Sequence, residues 1–253
     1  MKGPNRDDHD SRSELTVLSG GFSILHSRIP FRRNQDVLHI QQDLSDARDV
    51  LSVVDGWNDV ERVPSDHPGR EAASFVASRY PELFLALKEH PLTHATQDAA
   101  EQVDREFLHR YPAHVASVGA FAFCSRKQTV LVSIGTINVW IWNGTEWHKP
   151  EEIGDYFLPQ PEYESGSRSF WGRGELKGNP FYSLRADTVA LPPQTPFFIA
   201  TDGLDDVLTL SEVNEMQEKT RSSLPGFFKV LVEKVLTGKK QRDDITLLMR
   251  WKR

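Results

Sequence analysis

Residues 116–142 read ASVGAFAFCSRKQTVLVSIGTINVWIW. Three β-strands are predicted from this stretch: Ala116 to Cys124, Thr129 to Ile134 and Asn138 to Trp142. Each is rich in apolar, β-branched or aromatic residues. Asn143-Gly144 follows as a turn signal. Downstream, strands are expected at Thr188 to Leu191 and Phe197 to Ala200. Two helices come next, with Ser211 as N-cap of the first. Phe227, Leu231 and Val235 form the apolar stripe of the second, which Gly238 closes. A last strand runs from Ile245 to about Trp251. Upstream, the pattern becomes β-like from Leu15, with strands at Val37 to Ile40 and Val50 to Val54. A helix is read over Gly69 to Tyr80, broken by Pro81. Another runs from about Thr93 to Tyr111, its Ala99, Val103, Phe107 and Tyr111 recurring at four-residue spacing.

Paired helices with runs of strands between them predict an α+β fold rather than alternating βαβ units. The arrangement expected is a β-sandwich of two antiparallel sheets, flanked by pairs of helices in α-β-β-α layers. Residues 1–13 are polar and read as a disordered arm, leaving 14–253 as a single domain. Residues 154–179 are irregular and rich in Gly, Ser, Pro and aromatics, which marks a functional or mobile stretch.

The 253 residues allow one well-buried core. Hydrophobic residues at 38% and charged residues at 26% fit a globular chain. The net charge of −6 gives no basic footprint for nucleic acid. The first dozen residues lack an apolar signal core, and no apolar run approaches the ~20 residues that span a bilayer. A cytoplasmic protein without a membrane partner is therefore expected. The single cysteine, Cys124, lies in an apolar stretch and is read, with Met216 and Met249, as packing.

Four acidic motifs stand out: Asn34-Gln35-Asp36, Asp55-Gly56, Asp202-Gly203 and Asp243-Asp244. The second and third end apolar strand-like runs, and the fourth opens one. Carboxylates at strand tips are rigidly held and converge although far apart in sequence. Hard oxygen ligands of this kind suit Mg²⁺ or Mn²⁺. A glycine after the aspartate lets the backbone turn and its carbonyl approach an ion. Any one Asp-Gly is a common turn dipeptide; the ordered set carries the argument.

That set resembles the metal-dependent protein phosphatases, the type 2C serine/threonine phosphatases, in a bacterial-like form. Their pattern looks like Asn34-Gln35-Asp36, Val53-Val54-Asp55-Gly56, Ile134-Gly135-Thr136-Ile137, Ala200-Thr201-Asp202-Gly203-Leu204 and Arg242-Asp243-Asp244-Ile245-Thr246. The resemblance extends from about Gly21 to Met249 and implies a helix-flanked β-sandwich. It implies two Mg²⁺ or Mn²⁺ ions, with Asp55 bridging them and the Gly56 carbonyl contributing to one. Asp202 and Asp243 would complete the other, and Asp36 would orient or deprotonate the attacking water. An arginine near Asn34 would bind the substrate phosphate, with Arg32 and Arg33 as candidates; both also read as surface charges.

Several positions depart from the family pattern. Phe31 stands where the family arginine usually sits. Thr136 replaces the aspartate that helps hold a third metal, and a hydroxyl is a poorer ligand for a hard ion. Trp57-Asn58-Asp59 follows Gly56 where the family commonly has His-Gly-Gly. His67 is either a spatial replacement for that histidine or a loop histidine near a helix start. Gln35 stands for a usual glutamate. Arg168, Trp171, Arg173 and Lys177 occupy the place of a flap beside the active site, and are read either as a phosphopeptide receiver or as a surface loop.

The expected function is a Mg²⁺/Mn²⁺-dependent serine/threonine phosphoprotein phosphatase in which metal-bound hydroxide attacks phosphoserine or phosphothreonine directly. The expected partners are a phosphorylated protein, a partner kinase or its target; the chain itself is expected to be a monomer. The alternative is a pseudo-phosphatase that binds a phosphorylated partner with little turnover, motivated by Thr136 and the missing histidine. A two-metal phosphodiesterase or nuclease uses similar ligands, but the acidic charge disfavours nucleic acid.

Overall fold

The computed structural model describes residues 17–24, 35–43, 48–57, 68–87, 89–154, 169–172, 174, 183–220, 223–237 and 244–252. Its elements run β1 (Val17–Ile24), β2 (Val37–Asp43), β3 (Arg48–Trp57), α1 (Pro68–Ala86), α2 (Leu92–Arg110), β4 (Ala116–Cys124), β5 (Thr129–Ile134) and β6 (Asn138–Trp142). They continue with β7 (Trp147–His148), β8 (Trp171–Gly172), β9 (Asp187–Leu191), β10 (Phe197–Ala200), a 3-10 turn (Asp202–Leu204), α3 (Leu210–Lys219), α4 (Leu224–Thr237) and β11 (Ile245–Lys252).

Two antiparallel sheets result. One has the order β1-β11-β10-β6-β7; the other has the order β2-β3-β4-β5-β9, with β8 paired to β4. The alternation along β4 shows how the layers form. Phe121 and Phe123 pack under α1 and α2, while Ala120, Ala122 and Cys124 face the other sheet. Along β11, Ile245, Leu247, Met249 and Trp251 pack under α3 and α4, and Leu248 faces between the sheets. Strands covered on both faces read as continuous apolar runs, as β5 does, with every residue buried. The layers are therefore α-β-β-α, as expected. Among the described residues no helix is long and apolar enough to cross a membrane.

Ala99, Val103 and Phe107 of α2 and Phe227, Leu231 and Val235 of α4 are all buried, as expected, whereas Tyr111 lies past the end of α2 as its extended C-cap and is only partly buried. Three further expectations are corrected. α1 does not break at Pro81 but carries it internally and runs on to Ala86. An interior proline costs about 3 kcal/mol. Burying Leu83 and Phe84 beyond it returns about 1.5–3 kcal/mol apiece, enough to carry the helix through. The N-cap of α3 is Thr209, not Ser211, because Thr209 forms a reciprocal capping box with Glu212. Trp171 is core rather than a receiver of substrate: it is fully buried and its Nε1 donates to the Ala100 carbonyl at 3.1 Å. The arm at 1–13, Gly238, and Arg168, Arg173 and Lys177 lie outside the described residues.

Candidate functional site

Gln35-Asp36, Asp55-Gly56, Asp202-Gly203 and Asp244 come together at one end of the sandwich. Gln35 and Asp36 precede β2, and the pairing of Val37 with Val54 places Asp36 beside Asp55 near the end of β3. Asp55 follows Leu51 and Val53 in the alternation that faces the other sheet. From that other sheet come Thr201 and the Asp202–Leu204 turn after β10, and Asp244 before β11. The Gly135–Ile137 connection crosses between the sheets at this same end, carrying Thr136, which is buried.

Hydrogen bonds join the two halves. The Gln35 amide donates to Asp244 Oδ2 at 3.1 Å. The Thr201 hydroxyl donates toward Asp36 Oδ2 at 3.0 Å, with the Asp244 carbonyl oxygen at 3.3 Å. It also accepts from the Thr246 amide at 2.9 Å. Asn138 Nδ2 donates to Asp205 Oδ2 at 2.9 Å, tying the crossing connection to the turn. Asp36 and Asp244 are each 2% exposed, which puts two carboxylates in one buried region.

Two glycines permit this packing. A Cβ at Gly56 would collide with the Gly69 carbonyl at the start of α1, and one at Gly203 with the Asp244 carbonyl. Each is a backbone-to-backbone approach that no side chain tolerates.

The site contains residues to which the motif reading gave no role. Thr201 bridges the two halves, and Asp244 accepts a backbone N–H. Gly69 abuts Gly56. Arg70, exposed on the first turn of α1, donates from Nη1 to the Asp36 carbonyl at 2.9 Å. The Pro68-Gly69 pair at a helix start was the available signal for the last two. Asp36, Asp55, Gly56 and Asp202 are placed at this end; Arg32, Arg33, Asn34, His67 and Asp243 lie outside the described residues. Trp57, where the family pattern has histidine, is 44% exposed at the end of β3.

Among the described residues no three His, Cys, Asp or Glu side chains are grouped closely enough to hold a metal ion. The donor chemistry nonetheless fits a hard divalent cation: the carboxylates of Asp36, Asp55 and Asp202 and the Gly56 carbonyl, in a backbone cradle that a side chain at Gly56 would fill.

No family model matches the sequence, and no curated protein does. Solved structures do match. A serine/threonine phosphatase of S. agalactiae aligns over 93% of this chain and 99% of its own, with a TM-score of 0.70 and 12% identity. The catalytic domain of the serine/threonine protein phosphatase PstP, in complex with two manganese ions, covers 94% and 99% with a TM-score of 0.62 and 13% identity. PppA, described as a key regulatory component of the type VI secretion system in Pseudomonas aeruginosa, covers 94% and 98% with a TM-score of 0.64 and 15% identity. The chain therefore has the fold of these phosphatases.

Proposed function

We propose that this chain is a Mg²⁺/Mn²⁺-dependent protein phosphatase acting on phosphoserine or phosphothreonine. The observation that carries this is the meeting of Gln35-Asp36, Asp55-Gly56, Asp202-Gly203 and Asp244 at one end of a sandwich with this fold. The manganese pair recorded for PstP supports the choice of ion. Asp36, Asp55, Asp202 and Asp243, with the Gly56 carbonyl, would hold the ions. When bound, such a pair lowers the pKa of a water and clamps phosphoryl oxygens.

The chain's own residues do the rest. Asp36, pinned at its carbonyl by Arg70 and at its carboxylate by Thr201, is oriented to accept a proton from the attacking water. Arg70 joins Arg32 and Arg33 as a candidate for the substrate phosphate, since its guanidinium is already anchored at the site. The exposed Trp57, at the end of β3, offers an apolar surface to a phosphopeptide. A partner kinase or its target would supply the phosphorylated protein.

Hydrolysis of p-nitrophenyl phosphate tests the reading. Turnover with Mn²⁺ or Mg²⁺, lost with EDTA and lost in Asp55→Ala, is expected. A folded protein equally active in EDTA would refute it. Thr136 favours the second reading, a phosphoprotein-binding pseudo-phosphatase, which predicts binding of a phosphopeptide with no phosphate release.

A further inference from the structure

We infer that Thr201 is a positioning residue for Asp36, its hydroxyl setting the orientation in which that carboxylate meets a divalent ion. The inference rests on the metal-dependent reading above and adds to it a residue that touches neither ion nor substrate.

The hydroxyl is fully buried and has a single proton to give. Its oxygen already accepts the Thr246 amide at 2.9 Å, and the Thr201 amide in turn donates to the Thr246 carbonyl at 3.0 Å. Thr201 is thus fixed on both sides at the junction of β10 and β11. Two acceptors compete for the proton: Asp36 Oδ2 at 3.0 Å and the Asp244 carbonyl at 3.3 Å. The carboxylate is nearer and, when ionised, makes the stronger bond. The proton therefore goes to Asp36.

Asp36 belongs to the opposite sheet, 165 residues away in sequence. A carboxylate turns easily about its last torsion. A buried donor held by a β-strand junction removes that freedom. The main chain of Asp36 is held as well, by Arg70. Groups that orient a ligand in this way typically matter about 10–100-fold in metal affinity. The competing view is that Thr201 only closes the β10–β11 junction. That view predicts an effect on stability and none on metal affinity in variants that remain folded.

The experiment is Mn²⁺ titration by calorimetry of the full chain, alongside thermal unfolding without metal. Thr201→Ser keeps the hydroxyl and is expected to bind Mn²⁺ within about threefold of the parent. Thr201→Val keeps the shape and is expected to bind at least about tenfold more weakly. It should weaken Asp36→Ala, which has no acceptor left to orient, no further. Folded Thr201→Val with parental Mn²⁺ affinity overturns the proposal while leaving the metal reading intact. Should Thr201→Val fail to fold, Thr201→Cys, a much weaker donor of similar size, decides. Weaker binding than Thr201→Ser supports the proposal, and equal binding overturns it. A parent chain that binds no Mn²⁺ overturns the metal reading and this proposal together.

Discussion

Arg250 of β11 reaches across the sandwich to Asp49 of β3, with Nη1 2.9 Å from Oδ2, at the end opposite the carboxylate site. The Arg250 side chain is 9% exposed and that of Asp49 24%. The contact is an ion pair without aligned hydrogen bonds: among the described residues, Arg250 Nε and Nη1 find no hydrogen-bond partner. Burying a charge is costly, and an unpaired one is costlier. Asp49→Ala, which strands the buried guanidinium, should destabilise the fold by about 3 kcal/mol. The double variant Asp49→Leu with Arg250→Met should recover most of that loss. Denaturant unfolding of the two variants checks this; equal losses would show that the charge is not the cause.

Gly56→Ala should damage both fold and site. The added Cβ meets the Gly69 carbonyl, a main-chain atom that moves only if the start of α1 moves. Overpacking of this kind costs about 1–3 kcal/mol. Chemical denaturation should show that loss, and Mn²⁺ titration should show weaker binding in the variant.

Cys124 should be chemically silent in the folded protein. Burial pushes its thiol up to about 11, and the residue is 2% exposed. The thiolate is the reactive form, so Ellman's reagent at pH 8 should label the chain only after unfolding in guanidinium. The linkage has a definite sign. A thiol whose folded pKa is raised leaves stability untouched below its unfolded value of about 8.5. Stability should then fall as pH climbs from there towards 11, and Cys124→Ala should remove that part of the alkaline slope.

Arg70→Met should raise KM for a phosphorylated substrate, and the Ki of inorganic phosphate, about tenfold or more with a smaller change in kcat. Losing a charge-assisted bond to phosphate costs on the order of 1.5–3 kcal/mol. Steady-state kinetics with phosphate as inhibitor separate this from a role confined to the Asp36 main chain, which would lower kcat and leave the Ki unmoved.

Much of this architecture is legible in residue patterns. The bounds of β4, β5, β6 and β10 are those read from sequence, because each is an apolar run enclosed by polar or glycine-containing connections. That Asp36, Asp55, Asp202 and Asp244 lie at one end follows from their places at strand ends. What pattern does not carry is the pairing across sheets. Thr201 reads as an ordinary strand-end threonine, and only the approach of the residue after β10 to the residue before β2 gives its hydroxyl a carboxylate. Trp171 sits among glycines and charges and reads as loop, yet two residues of pairing with β4 and a hydrogen bond to α2 draw it into the core. Pro81 misleads for the same reason: local propensity ends the helix, and buried side chains beyond it prolong it.

The most direct measurement is phosphate release from a phosphothreonine peptide by the folded chain, with Mn²⁺ and with EDTA in parallel. A metal-dependent phosphatase releases phosphate in Mn²⁺ and stops in EDTA. Release that EDTA leaves unchanged, or none from a folded chain saturated with Mn²⁺, would contradict the account.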